Sequence, residues 1–206
     1  MPNSVRAREK YARFAKTYDQ GRDRPEPTRL AAVARLELAA GQTVLDMGCG
    51  TGLSLPLLEE AIGPKGRIVG IDLSPEMLAH ARARVARQQW RNVTLVPAAA
   101  GEQELPVDAD AALLYLTHDI MRTPRAVAWV VQHLKPGGHV VAVGIQWAPW
   151  WQFRVNWRIW GLARSYTTTT EGLRAPWSHL AALLPNLRVE TFWKGGMYLA
   201  WGTKAP

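Results

Sequence analysis

Apolar positions along this chain switch repeatedly between a helical and a strand period, and each switch marks an element. Over residues 5 to 18, Tyr11, Phe14, Ala15 and Tyr18 recur on one helical face, while Arg6, Arg8, Lys10, Arg13 and Lys16 take the other. A second helix is expected over 26 to 39, with Pro25 and Pro27 at its entrance and Gly41 just past its end. The period then shortens. Thr43 to Met47 and Arg67 to Ile71 read as buried strands, the second ending on Asp72, and between them Leu53 to Ala61 reads as a helix closed by Gly63 and Pro64. Ser74 as an N-cap with Pro75 at the first helical position starts a helix running to Gln89.

The alternation continues with strands at Val93 to Val96 and Ala111 to Leu116, an acidic loop between them, and a helix capped by Thr123 and opened by Pro124. Lys135, Pro136, Gly137 and Gly138 are expected to turn the chain into a strand over Val140 to Ile145. Strand and helix alternating in this way specify an α/β fold, a doubly wound and mostly parallel sheet covered on both faces. Leu187 to Trp193 and Met197 to Gly202 flank Gly195 and Gly196 and predict an antiparallel hairpin at one edge. One stretch departs from the rhythm: eight of the ten tryptophans lie between Trp147 and Trp201. Within it, Trp150, Phe153, Trp157 and Trp160 fall at near-helical spacing beside Arg154 and Arg158.

With 206 residues, 48% of them hydrophobic, one domain over 1–206 with an ordinary core is expected. The single cysteine, Cys49, excludes a disulfide framework or a thiolate metal cluster, and no His, Asp and Glu group has ligand spacing, so no metal site is expected. The opening MPNSVRAREKYARF carries basic residues with no apolar run behind them, and no uncharged run is long enough to cross a bilayer. A cytoplasmic protein, with peripheral membrane association left open, is the reading. The formal charge of +8 raises nucleic acid and anionic membranes as partners, but the cations stand at helical spacings that suit solvated faces.

Chemistry concentrates in LDMGCGTG, where Gly48, Gly50 and Gly52 let the backbone turn sharply and a ligand approach the start of a helix. The spacing is G-x-G-x-G, unlike the pyrophosphate-binding G-x-G-x-x-G, and the loop lacks the lysine of a P-loop. Asp72, ending the next strand, stands where an acid can accept from both hydroxyls of a ribose. Asp46, before the loop, suits a ligand with an ammonium group; the alternative is a cap on the loop's own amides.

LDMGCGTG, then GIDLSPEML, then LKPGG together resemble the class I S-adenosylmethionine-dependent methyltransferases, and in particular the small-molecule and lipid group of the ubiquinone and menaquinone methyltransferases. YARFAKTYD resembles that group's N-terminal helix, and the resemblance covers Tyr11 to Val143. It implies a Rossmann-like, seven-stranded sheet, S-adenosylmethionine as cofactor with S-adenosylhomocysteine as product, and N-terminal helices over 1–40 that cover the cofactor. It further implies that Asp46, Gly48, Cys49, Gly50 and Gly52 hold the methionine portion, Asp72 the ribose, and Leu73 and Met77 the adenine face. Tyr18 would lie over the sulfonium, or serve only as a core aromatic. Leu116 would close the fourth strand beside the cofactor. The Gly-Asp pair usual after the third strand is replaced by Ala99, Ala100, Gly101 and Glu102, so adenine would be read by the backbone at Ala100 and Gly101 or by Glu102.

The fourth strand ends at YLTHDIM, which puts His118 and Asp119 at the rim where an acceptor should meet the cofactor. His118 is the candidate base, with Asp119 orienting or charging it; alternatively, the pair only ties the loop together. The insertion over 147–177 is read as an acceptor lid in which Trp147, Trp150, Trp151 and Trp157 bind a small, largely apolar or aromatic acceptor. Two other readings of the tryptophans stand beside it, contact with a membrane surface and plain packing. For the whole chain, a membrane-surface lipid or quinone methyltransferase and an RNA-binding or RNA-modifying protein are the alternatives. The oligomeric state is left open.

Overall fold

The structure, a computed structural model, describes residues 2–15, 18, 19, 26–102 and 108–206, and for Ser4, Arg13 and Phe14 the backbone alone. Lys16, Pro25 and the middle of the acidic loop lie outside the described residues. Among those described, seven strands form one sheet: β1 (Thr43–Met47), β2 (Arg67–Asp72), β3 (Val93–Pro97), β4 (Ala109–Tyr115), β5 (Leu134–Ile145), β6 (Arg188–Phe192) and β7 (Met197–Thr203). Their spatial order is β3-β2-β1-β4-β5-β7-β6, all parallel except β7, which runs against β5 on one side and β6 on the other. The helices are α1 (Ser4–Phe14), α2 (Pro27–Ala34), α3 (Leu55–Ile62), α4 (Pro75–Gln88), α5 (His118–Met121), α6 (Pro124–Gln132), α7 (Phe153–Tyr166) and α8 (Ser178–Ala181).

Central strands are apolar throughout because both sheet faces are covered. Leu45, Met47, Ala112, Leu114, Val140 and Ala142 point into one buried cluster, which α6 and α8 cover with Val127, Val130 and Leu180. Val44, Ala111, Leu113, Val141 and Val143 point into the other, which α2 and α3 cover with Ala32, Leu55, Leu58 and Ile62. Strand order reverses between β1 and β4. The connections leaving their carboxyl ends therefore part to opposite faces and open a crevice there.

Helix ends follow local chemistry. The Ser74 hydroxyl accepts from the Met77 N–H at 3.3 Å, Pro75 fits the first turn, and Gln89 closes α4 in the left-handed conformation at φ 56°. α2 stops at Ala34, short of the expected residue 39, and Glu37 takes a positive φ of 50° just beyond. Thr123 precedes α6 without capping it; its Oγ1 donates to the Asp119 carbonyl at 2.8 Å. The turn expected at Lys135–Gly138 lies inside β5 as an irregularity. The Gly137 N–H donates to the Lys204 carbonyl at 3.0 Å, and the Lys204 N–H to the Gly138 carbonyl at 2.9 Å. That pairing with the end of β7 draws the segment into the sheet, at a register shift between Ala109 and Ala111.

The tryptophan-rich segment is helical, with an apolar stripe on the protein and most of its aromatics outside. α7 buries Val155, Ile159 and Ala163 against Ile145, Ala148 and Leu173 in a small separate core. Phe153, Trp157 and Trp160 lie on the outside, with Trp150 and Trp151 exposed just before the helix.

Candidate functional site

β1 delivers the chain into the loop Gly48–Gly52, where Gly48, Gly50 and Gly52 all take positive φ of 68°, 56° and 78°. At Gly48 a Cβ would stand 2.5 Å from the Thr117 Cγ2, so a hydrogen is required for the loop to pack against the end of β4. A Cβ on Gly50 would meet nothing within 4 Å, and this glycine faces open space. The two glycines therefore act differently: one permits close packing, the other keeps room beside the backbone.

Asp72, at the end of β2, ties the loop to the following helix. The Gly50 N–H donates to its Oδ2 at 2.9 Å and the Ser74 N–H to its Oδ1 at 2.8 Å. Burial raises its carboxyl pKa, and the backbone N–H groups of Ser74, Gly50 and Leu73 pull it back. Each oxygen retains a lone pair for a further donor. Asp46, one strand over, is fully buried; burial pushes its carboxyl up to about 7, with the Arg29 guanidinium opposing and Asp72 reinforcing. Its Oδ2 has no hydrogen-bond partner.

A cavity of about 290 Å³ runs along this loop. Of the residues expected to hold a cofactor, Tyr18, Gly48, Gly50, Asp72, Leu73 and Met77 line it, as do Ala100, Glu102 and Leu116. Asp46, Cys49, Gly52 and Gly101 are not among the lining residues. Asp46 is buried behind the loop. Cys49 is buried with its Sγ packed toward Gly70, and burial raises its thiol pKa. Gly52 is pressed against Leu55, and Gly101 turns against the backbone of Ala126. These four shape the loop and its surroundings. Leu116 stands at φ 59°, a left-handed conformation that costs a non-glycine residue about 1–2 kcal/mol. Such strain at a cavity wall is held by the fold around it.

His118 and Asp119 both line the cavity, but the expected partnership between them is not formed. Both Asp119 carboxylate oxygens accept from the Thr168 N–H at 3.1 Å, which ties α5 to the segment after α7. Burial raises the Asp119 pKa, while the Thr168 bonds and Lys10 lower it. His118 instead bonds to the Glu171 backbone, and its Nε2 has no partner. The bond is therefore made by Nδ1, and because it favours the charged ring it runs from Nδ1–H to a carbonyl. Burial, with Arg122 adding to it, pushes the His118 pKa down to about 4. At neutral pH the ring is uncharged and presents an Nε2 lone pair.

A second cavity, of about 500 Å³, shares Tyr11, Tyr18, Tyr115, Leu116 and His118 with the first. Leu162 and Tyr166 of α7, Phe192, Trp193 and Met197 supply apolar walls, and Glu26 and Thr28 a polar end. There the Tyr115 hydroxyl donates to Glu26 Oε2 at 2.8 Å and lies 2.6 Å from Thr28 Oγ1. Arg29 stacks over the Tyr115 ring at 3.9 Å. Tyr11 closes the site from α1, its hydroxyl donating to the Tyr166 carbonyl at 2.8 Å.

None of Trp147, Trp150, Trp151 and Trp157 lines either of these two cavities; Trp147, Trp150 and Trp151 border a third, next to Gln146, Asn156 and Arg174. Trp147 packs on the small core beneath α7, and the other three face solvent. Aromatic residues do wall the second cavity, but they are Tyr11, Tyr18, Tyr115, Tyr166, Phe192 and Trp193. Periodicity marked Tyr11 only as an apolar-face residue; the tertiary fold alone brings Tyr115, Tyr166 and Trp193 together.

A family model described as a methyltransferase domain matches residues 44–138. Trans-aconitate 2-methyltransferase of Azoarcus sp. (strain BH72) is 38% identical over 121 residues, 55% of this chain and 44% of that protein. Demethylmenaquinone methyltransferase of Shouchella clausii is 34% identical over 120 residues, 56% of this chain and 50% of that one. The chain thus spans half or less of these relatives' length. The crystal structure of N-methyltransferase NodS from Bradyrhizobium japonicum WM9, in complex with S-adenosylhomocysteine, is 18% identical and superposes with a TM-score of 0.70 over 97% of this chain and 99% of that one. Residues 44–138 of this chain thus match a methyltransferase domain, and the chain shares the Rossmann-like fold of that solved N-methyltransferase.

Proposed function

We propose that this protein transfers a methyl group from S-adenosylmethionine to a small, largely apolar or aromatic acceptor. One observation carries the reading: two cavities meet at His118, a residue that lines both and whose buried Nε2 has no hydrogen-bond partner. The first suits an adenosyl amino acid. Open space beside Gly50, spare lone pairs on Asp72, and the orphaned Thr117 Oγ1 of a residue in the cavity wall are what such a polar ligand would complete. Asp72 would accept from the ribose, and Leu73 and Met77 would pack against adenine, with the Ala100 backbone and Glu102 at its edge. Asp46 would act from behind the loop, through its charge on the ammonium end. When bound, the cofactor supplies a methyl carbon on a positively charged sulfur, open to in-line attack.

The chain's own residues do the rest by alignment and exclusion of water. Tyr11, Tyr18 and Tyr166 enclose the junction of the cavities, and the apolar wall formed by Leu162, Phe192 and Met197 favours a planar or apolar acceptor. His118 takes the acceptor's proton on Nε2, while the Glu171 backbone bond holds the tautomer that leaves this atom free. Asp119 is a positioning residue, fastening α5 to Thr168.

The test is calorimetric titration with S-adenosylhomocysteine and NAD side by side, followed by transfer of labelled methyl into a panel of phenols and amines. Tighter binding of NAD would overturn the cofactor assignment. Labelling confined to highly polar acceptors would overturn the acceptor class.

A further inference from the structure

The outer face of α7 and the residues leading into it form a patch that the chain itself does not cover. Trp150, Trp157 and Phe153 are 84%, 76% and 70% exposed, with Trp151 and Trp160 exposed beside them. Exposed large hydrophobics are ordinary when scattered; five aromatics on one surface are not. Arg154, Arg158 and Arg164 are interleaved with them, each guanidinium within about 6 Å of an aromatic ring (Phe153, Trp193 and Trp160 respectively). From Gln146 to Thr170 the sequence has no Asp or Glu. α1, bound to this region by Lys10 and Tyr11, adds the exposed Arg6 beside Lys10 and Arg164.

We infer that this face docks on a bilayer surface bearing acidic headgroups. Indole rings are apolar bodies with one N–H donor and settle at the headgroup level, and guanidinium groups pair with phosphate oxygens. No helix among the described residues is long and apolar enough to cross a membrane. α7 has the other geometry: one stripe, Val155, Ile159 and Ala163, packed on the protein, and an opposite stripe of aromatics and cations suited to lying in the interfacial plane. A second copy of the chain fits the patch less well, since a two-fold contact would set these arginines against their own copies. Docking would also bring the second cavity close to the lipid, because Leu162 and Tyr166 of this same helix line it. The docking does not depend on the methyl-transfer reading and is measured without cofactor.

Sedimentation of the full chain with large vesicles, phosphatidylglycerol mixed with phosphatidylcholine against phosphatidylcholine alone, tests the inference. Binding to the acidic vesicles should be strong, with a blue shift of tryptophan emission, and should weaken with salt. Replacing Arg154 and Arg158 by Gln should lower the partition coefficient roughly twentyfold, near fivefold for each cation. Replacing Trp150 and Trp157 by Ser should lower it roughly tenfold or more. These side chains are exposed, so circular dichroism and thermal midpoint should stay unchanged. Failure to bind acidic vesicles, or equal binding by both variants, overturns the inference. So does a stable dimer in sedimentation velocity that the tryptophan variant dissolves.

Discussion

Asp46→Asn isolates the cost of a buried, unpartnered carboxylate. In the folded chain the Asp46 pKa lies at about 7 against an ordinary 3.8, with burial as the first cause. The folded state therefore holds its proton to higher pH than the unfolded state does. The sign follows: wild-type stability is intact near pH 4 and is lost progressively as pH rises toward 7 and above. A shift of about three units corresponds to about 4 kcal/mol at pH 8. Asparagine carries no charge to desolvate but leaves an amide group poorly paired, which costs about 1–2 kcal/mol at every pH. Urea denaturation of both proteins from pH 4.5 to 8.5 should thus show Asp46→Asn no more stable than wild type at the acid end and about 2–3 kcal/mol more stable at pH 8. Other titrating groups are present in both proteins and cancel in the difference. A constant difference, or a variant that loses ground as pH rises, would refute the reasoning, because Asp46 would then be ionised and well paired in the fold.

Three further outcomes are expected. Gly48→Ala combines a positive φ with a Cβ 2.5 Å from Thr117, and should lower stability by about 2–4 kcal/mol in thermal unfolding; a loss below 1 kcal/mol would mean that the loop yields easily. Asp72→Ala frees the Gly50 and Ser74 amides, and should cost about 3 kcal/mol in stability and at least a hundredfold in S-adenosylhomocysteine affinity by calorimetry; unchanged affinity would remove Asp72 from the ligand's partners. His118→Gln should cut the methyl-transfer rate roughly a hundredfold or more, and the wild-type rate should keep its acid limb near pH 4, well below the ordinary 6.5. Its folded pKa is depressed, so the neutral ring stabilises above pH 6.5 and that contribution, about 3 kcal/mol, is lost as pH falls through 4; a limb at 6.5 would place the ring in solvent.

The sequence by itself determined the elements whose causes are local. Thr43–Met47, Arg67–Asp72 and the capped helix from Pro75 are set by short apolar runs, a serine cap and a proline, all acting within a few residues. The same locality made the glycine loop and Asp72 legible, since a sharp turn before a helix and an acid at a strand end can be read from neighbours alone. Where the chain's partners were distant, sequence was blind. Pro136–Gly138 carries every mark of a turn, yet Lys204 pairs with both glycines and draws them into β5. The tryptophans announced a helix correctly by their period, but which side of α7 is buried depends on Val155, Ile159 and Ala163 finding Ile145 and Leu173, and that match turns the indoles outward.

The candidate base shows the division most clearly. His118 was placed at the crevice by the end of a strand, a local fact. That its Nδ1 meets the Glu171 carbonyl, and that Asp119 turns instead to the Thr168 N–H, was decided by a chain segment some fifty residues further on. Sequence fixes what groups a protein owns and their spacing along a strand or helix. Tertiary structure decides which of them lose water, which find partners, and which, like Nε2 of His118, are left with a lone pair to use.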